Sequence, residues 1–264
     1  MHVVVCVKVV PKTEDVTLDP VTKMLDRSKA QNEINQADKN ALEAALSLKD
    51  KHDVKVTVLS MGPPLFEPYL KTAIAMGADN AILVSDRAFA GADTYPTSLT
   101  LATAIRKMAD VDIVLCGEES SDASTGQLPS SLAEWLGFSQ VTYVPSFEIA
   151  EAGVVRARRT IKSGYEVVEA KLPCLMSVEL GVNSPRFPDF RRKRWAEKEF
   201  KTTVWTLTDL GLAEDEVGLK GSRTVVEELV EGRKPERKRQ YLQGTAREQA
   251  DQIVRLLQSA KLLA

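Results

Sequence analysis

Between Leu115 and Pro129 the chain reads LCGEESSDASTGQLP, where Ser120, Ser121, Ser124 and Thr125 crowd together with Gly117 and Gly126 and with the acids Glu118, Glu119 and Asp122. Hydroxyls and glycines between a strand end and a helix start are the parts of an anion site. First-turn N–H groups have no partner inside the helix, and the helix dipole favours negative charge there. Thr125 is expected as N-cap of the following helix, with Pro129 in its first turn, where a missing N–H does no harm. The N–H groups of Gly126, Gln127 and Leu128 would then hold a phosphate without a lysine, the acids turning away or bonding ribose and adenine edges. The stretch contains neither GxGxxG nor GxxxxGK[ST], so it carries neither of those phosphate-binding signatures.

Other chemistry is thinly represented. The two histidines, His2 and His52, read as solvated, and there is no GxSxG and no HExxH. Three cysteines, Cys6, Cys116 and Cys174, lie in apolar contexts without CxxC spacing, which supports neither a disulfide framework nor a zinc or other metal site. A reducing setting fits, cytoplasmic or a mitochondrial matrix. A formal net charge of −2 excludes a general nucleic-acid binder. The opening MHVVVCVKVV is too short for a membrane span and lacks a cleavage pattern, so no membrane insertion and no targeting peptide is expected.

The elements that must position this loop follow from periodicity. Strands are expected at Val3 to Val10, Val54 to Ser60, Ala81 to Val84 and Val111 to Cys116. They alternate with helices at Gln36 to Lys51, Tyr69 to Met76 and Ser98 to Met108. That alternation predicts an α/β fold with a mostly parallel nucleotide-binding sheet flanked by helices and right-handed crossovers. Ligands of such sheets sit at the carboxyl ends of strands, which brings Cys6 to Lys8, Asn35 to Asp38 and Ser60 to Pro63 to the same crevice. Pro11 to Arg27 reads as an excursion over that edge. Runs at Val141 to Ile149, Val154 to Ile161, Glu166 to Ala170 and Cys174 to Glu179, with a turn at Ser163-Gly164, predict an antiparallel addition. The division expected is a nucleotide-binding domain, 1–182, and a segment 183–264. The latter opens with the basic, aromatic NSPRFPDFRRKRWAEKEFK and closes with an amphipathic helix from Thr245.

Along nearly its whole length the sequence resembles the β subunit of electron transfer flavoproteins. The blocks that carry the resemblance are VVVCVKVVP, NEINQADKNALEAAL, VLSMGPP, LKTAIAMGADNAILVSD, the loop ending STGQ, and RRTIKSGYEVVEAKLPCLMSVELGVNSPRF, the last being the most specific. The resemblance implies an adenine nucleotide alpha hydrolase-like fold and a heterodimer with an α subunit that holds redox-active FAD. This chain would be an electron carrier rather than an enzyme, with a carboxyl-terminal arm wrapping the partner. Electrons would pass between a dehydrogenase of the acyl-CoA type, in fatty acid oxidation, and an acceptor such as a quinone reductase. Carried over by position, nucleotide contacts fall on Cys6, Asn35, Gln36, Ala37, Asp38, Met61, Gly117, Ser121, Asp122, Ala123, Ser124, Thr125, Gly126, Gln127 and Leu128. The dehydrogenase-recognition loop falls on Pro185 to Trp195, with Phe190 where the family usually has Leu, followed by Arg191, Arg192, Lys193 and Arg194. The loop around Ser121 resembles AMP-binding members. LVSDRAFAGADT and GLKGS resemble the electron-bifurcating branch, in which a second FAD replaces AMP, so both ligands stay open here. The alternative, a stand-alone adenine-nucleotide sensor or hydrolase of the same fold, would want an SGGxDS-type loop that the chain lacks.

Overall fold

A computed structural model describes residues 1–12, 17–18, 25–26, 31–151, 153–225 and 239–263. The excursion expected from Pro11 to Arg27 lies largely outside them. Two compact units result, Met1–Glu227 and Glu228–Ala264.

The first unit opens with strands β1 (His2–Cys6), β2 (Val9–Pro11), β3 (Thr17–Leu18), β4 (Leu25–Asp26) and β5 (Asn32–Ile34). Helix α1 (Gln36–Lys49), β6 (Lys55–Met61), α2 (Glu67–Met76), β7 (Asn80–Val84), α3 (Thr94–Lys107), β8 (Ile113–Gly117) and α4 (Leu128–Leu136) follow. Next come β9 (Ser139–Val144), β10 (Ser146–Glu151), β11 (Val154–Ile161), β12 (Gly164–Lys171), β13 (Cys174–Val178), α5 (Phe190–Lys198), β14 (Thr203–Trp205) and the short helices α6 (Leu207–Leu210) and α7 (Gly218–Gly221). Among the described residues a seven-stranded sheet runs β14-β7-β6-β1-β8-β13-β9, every pairing parallel. β1, β8 and β13 are buried at every position, as strands covered on both faces must be, and so they read as unbroken apolar runs. Leu42, Leu70 and Ile74 of α1 and α2 pack on one face with Val3 and Val5. Leu101, Ile105 and Leu132 of α3 and α4 pack on the other with Val4 and Val114. Each fully buried aliphatic chain contributes roughly 1.5–3 kcal/mol.

The structure shifts several expected boundaries. The Val3 to Val10 run is two strands, because after Val7 bonds Leu59 the N–H of Lys8 is taken by the Asp38 carboxylate and the chain leaves the sheet. The Val141 to Ile149 run divides at Pro145, which has no N–H to continue a ladder. Its first half stays in the parallel sheet. Its second half joins β11 and β12 in an antiparallel sheet of its own, so the expected addition is a separate sheet. Helix α3 starts at Thr94, not Ser98, because the Asp93 carboxylate caps it by accepting from the Tyr95 N–H at 2.9 Å. His2 is buried on β1 rather than solvated, with Nε2 2.8 Å from Thr57 Oγ1, and burial lowers its pKa; His52 is exposed as expected.

In the second unit, α8 (Ala246–Ser259) begins with a reciprocal capping box between Thr245 and Glu248. Its Ile253, Val254 and Leu256 are exposed. No described helix is long and apolar enough to cross a membrane.

Candidate functional site

The chain proceeds from β1 through α1 to β6 and β7 on one side, then returns by α3 to β8 on the other side of β1. The order therefore reverses between β1 and β8, and the helices that follow these strands diverge to opposite faces. A crevice opens at their carboxyl ends, the place where open α/β sheets take ligands. The stretch from Gly117 to Leu128 forms one wall of it.

Three polar side chains fix that wall. Asp38, in the first turn of α1 and buried, accepts from the Lys8 N–H at 2.7 Å and the Gly117 N–H at 3.0 Å, locking the ends of β1 and β8 to the start of α1. Burial raises its pKa to about 6, against the opposing pull of the Lys8, Asn35 and Gly117 hydrogen bonds. Asn35 stands at the N-cap position of α1 but makes no cap bond. Its Nδ2 instead donates to the Glu119 carbonyl at 2.8 Å, and its Oδ1 accepts from the Ser121 N–H at 3.2 Å. Lys8 Nζ bonds Asp122 Oδ1 at 2.7 Å and Ser120 Oγ at 3.3 Å. Burial pushes the Asp122 carboxyl up, but the Lys8 ammonium holds it below its ordinary value overall.

Two sequence expectations change here. Thr125 is not the N-cap: α4 begins at Leu128, Gln127 occupies the cap position without a side-chain cap bond, and Thr125 Oγ1 accepts only from the Gln127 N–H at 3.4 Å. Nor is the loop without a lysine, since Lys8 reaches it from the end of β1. Its role could have been read from the break it makes in the apolar run of β1, because a lysine just past a buried strand must find an acid or water. Of the acids, Asp122 faces Lys8, and Glu118 Oε1 accepts from the Leu180 N–H at 3.0 Å, burial raising its pKa.

Cys6, Asn35, Ala37, Asp38 and Gly117 are buried at this junction. Gln36, Ser121, Asp122, Ala123, Ser124, Thr125 and Gln127 are exposed, Gly126 and Leu128 half-buried, and Met61 ends the neighbouring strand β6. Gly117 has to be glycine, since a Cβ there would overlap the Asp38 carboxylate and lie 2.7 Å from Ala37 Cβ. Cys116 and Cys174 titrate high, the first through its contact with Cys6 and then burial, the second pushed up to about 12 by burial, so neither is a ready nucleophile. Among the described residues no group of three or more His, Cys, Asp or Glu could hold a metal ion.

The five residues expected to meet a protein partner lie elsewhere. Asn183 exchanges hydrogen bonds with Asn40, and Arg186 clamps Glu43 and Asp50 of α1 and its carboxyl end. The Asp189 N–H donates to the Ala75 carbonyl. Helices in such a sheet run back against the strands, so these anchors run from Asn40 near the crevice end of α1 to Asp50 and Ala75 at the rim opposite the crevice. Phe187 and Phe190 project there, 93% and 79% exposed. Arg191, Lys193 and Arg194 are exposed beside them. Arg192 is exposed as well, but its guanidinium folds back onto α2 and donates to the Ile74 and Ala78 carbonyls at 3.1 and 2.8 Å.

The stretches SDRAFAGADT and GLKGS form one clasp. Leu219 N–H donates to the Ala90 carbonyl and Asp93 N–H to Ser222 Oγ, both at 2.9 Å, while the Asp93 carboxylate accepts from Arg223 and Thr224 N–H at 2.8 Å. Gly218, at φ +58°, allows the approach, because a Cβ would run into the Ala88 carbonyl.

The sequence model for the electron transfer flavoprotein domain matches residues 22–210. The chain belongs to the electron transfer flavoprotein family. It is 44% identical over 226 residues, 86% of each chain, to the electron transfer flavoprotein subunit beta of Thermoanaerobacterium thermosaccharolyticum. It is 41% identical over 227 residues, again 86% of each, to the caffeyl-CoA reductase-Etf complex subunit CarD of Acetobacterium woodii. To the protein FixA of Azorhizobium caulinodans it is 38% identical over 239 residues, 87% of this chain and 84% of the relative. Membership on the β-subunit side makes this an electron-transfer protein of a flavin-using family.

Proposed function

We propose that the chain is the β subunit of a heterodimer in which an α partner holds most of the contacts to a redox-active FAD. It would pass electrons between a dehydrogenase of the acyl-CoA type and a quinone-reductase-type acceptor, in the cytoplasm or an equivalent compartment. The crevice between β1 and β8 binds the phosphate of an adenine nucleotide, AMP by preference. One observation carries this reading: Lys8 reaches the Ser120 hydroxyl and Asp122 of a serine-rich loop held between the starts of α1 and α4, at a topological switch point. This donor set suits a phosphate, with Asp38 and Asn35 holding the walls. The bound nucleotide would brace the junction, and FAD would supply the electron chemistry.

Co-expression with an α subunit, followed by acid denaturation and chromatography, is expected to release one FAD and one AMP per heterodimer. A nucleotide-free complex sinks the crevice reading. Two FAD with no AMP would assign the crevice to a second flavin, the reading favoured by the resemblance of SDRAFAGADT and GLKGS to the bifurcating branch.

Segment 185–195 is proposed to dock the dehydrogenase, with Phe190 as apolar anchor and Arg191, Lys193 and Arg194 as a charged rim. Buried aromatic anchors dominate such interfaces, whereas rim charges mainly set association rate. Phe190→Ala should therefore raise the Michaelis constant for the reduced dehydrogenase about tenfold and leave the flavin spectrum unchanged. Unaltered dehydrogenase kinetics would remove Phe190 from the interface.

A further inference from the structure

Four described non-glycine residues, Asp110, Ser124, Tyr143 and Lys261, have φ between 47° and 55°. Tyr143 stands apart as an aromatic residue inside a strand, where L residues avoid that region. Its conformation is enforced from outside. The register of β9 on β13 shifts between Met176 and Val178, which places one extra residue in β9, a β-bulge of the kind that re-aims a side chain. Buried Ser177 fixes the bulge by accepting from the Tyr143 N–H at 2.9 Å, and the Glu179 N–H closes it on the Val144 carbonyl at 3.2 Å. The residue is 46% exposed, so full burial does not account for the arrangement.

The bulge delivers the phenol to the loop. Tyr143 Oη lies 3.7 Å from where a Cβ would stand on Gly126, itself at φ +61°. β9 runs parallel to β13 and β8, so Tyr143 is at the same carboxyl rim as the crevice. The Gly117–Leu128 loop thus has a cation near its start, Lys8 on Ser120 and Asp122, and a neutral hydroxyl donor at its end, just before α4.

We infer that Tyr143 is a ligand residue of this crevice, its hydroxyl donating to a phosphate oxygen of an adenine nucleotide seated at the start of α4. The inference rests on the nucleotide reading proposed above and adds a residue to it. Strain kept at an exposed aromatic in a crevice rim is the pattern of a binding residue held ready for its ligand. A hydrogen bond to a charged phosphate is worth about tenfold in affinity.

The test titrates AMP, and separately FAD, into the full chain stripped of nucleotide. Tyr143→Phe, which keeps ring and backbone and removes only the donor, should raise Kd about tenfold for the nucleotide the wild type takes. Tyr143→Gly should bind at least as poorly, yet match or exceed the wild-type Tm by about 2 °C, since it relieves the left-handed φ. Wild-type affinity in Tyr143→Phe overturns the inference and leaves the nucleotide reading standing. A Tyr143→Gly protein that binds normally but melts several degrees lower overturns it too, making the ring a packing element. If the wild type takes neither AMP nor FAD, the nucleotide reading fails first and this inference with it.

Discussion

Asp38→Ala is expected to lose about 2–4 kcal/mol of unfolding free energy, because the buried N–H of Gly117 and the part-buried N–H of Lys8 would be left without their acceptor, at about 1–3 kcal/mol for a fully buried donor and less for the other. Urea unfolding with an unchanged m-value would register it as a lower midpoint. Asp38→Asn should fall between, since one of its two terminal atoms becomes a donor facing a donor. The wild type should also show a specific pH signature. With a pKa raised from 3.8 to about 6, native Asp38 binds protons in a range where the unfolded chain does not. Stability from this group therefore rises as pH falls from about 6 to about 4, and falls as pH rises through 6. The difference in unfolding free energy between wild type and Asp38→Asn should slope across that window. A flat difference would mean that the carboxyl is not desolvated in solution as the structure has it. Under the nucleotide reading proposed above, the same variants should lose nucleotide, because Asp38 joins β1, α1 and β8 at the crevice.

The layers of the fold are legible in the sequence, whereas contacts between distant segments are not. Val3 to Val5, Ile113 to Leu115 and Cys174 to Val178 announce buried parallel strands by composition alone, and the alternation with α1, α2 and α3 gives the layers and the crevice. Asp38 stands at the start of α1 as periodicity implies, but periodicity says nothing of the two N–H groups, 30 and 79 residues away, that its carboxylate accepts from. Thr125 misled for a local reason: Ser124 and Gly126 take left-handed φ, so the loop makes one more turn before α4 can start. Arg192 is expected at a partner surface with the rest of its basic run, and only the docking of α5 on α2 decides which member of the run meets the carbonyls of Ile74 and Ala78. Tyr143 left no signal at all, since a bulge is a property of two strands and not of one.

Arg186→Ala should separate the other rim from the crevice. Arg186 gives Glu43 bonds of 2.9–3.2 Å from its guanidinium and another from its backbone N–H, and it reaches Asp50 at 2.7 Å. The Glu43 side chain is only 10% exposed, so truncation leaves a nearly buried carboxylate unpaired. Breaking a fully buried pair costs about 3–5 kcal/mol. Arg186 itself is one-third exposed and Asp50 well solvated, which brings the expected loss to about 2–3 kcal/mol. The loss should be local first. With the clamp gone, residues 184–188 stay tied only at Asn183 and Asp189, and amide exchange there should quicken well before the central strands respond. Under the docking proposed for Phe190, weaker dehydrogenase binding follows from lost preorganisation, while AMP affinity stays as it was. The pH behaviour is the mirror of Asp38. Burial pushes Glu43 up, but the Arg186 hydrogen bonds and charge more than offset it, so its carboxyl titrates below 4.5. Its contribution is therefore present above that pH and disappears as pH falls through the lowered value. Two carboxylates on α1, Asp38 at the crevice and Glu43 in the Arg186 clamp, thus give stability slopes of opposite sign, and an acid titration of wild type against Arg186→Ala and Asp38→Asn should resolve them. A downward acid slope that survives Arg186→Ala unchanged would exclude the clamp as its source.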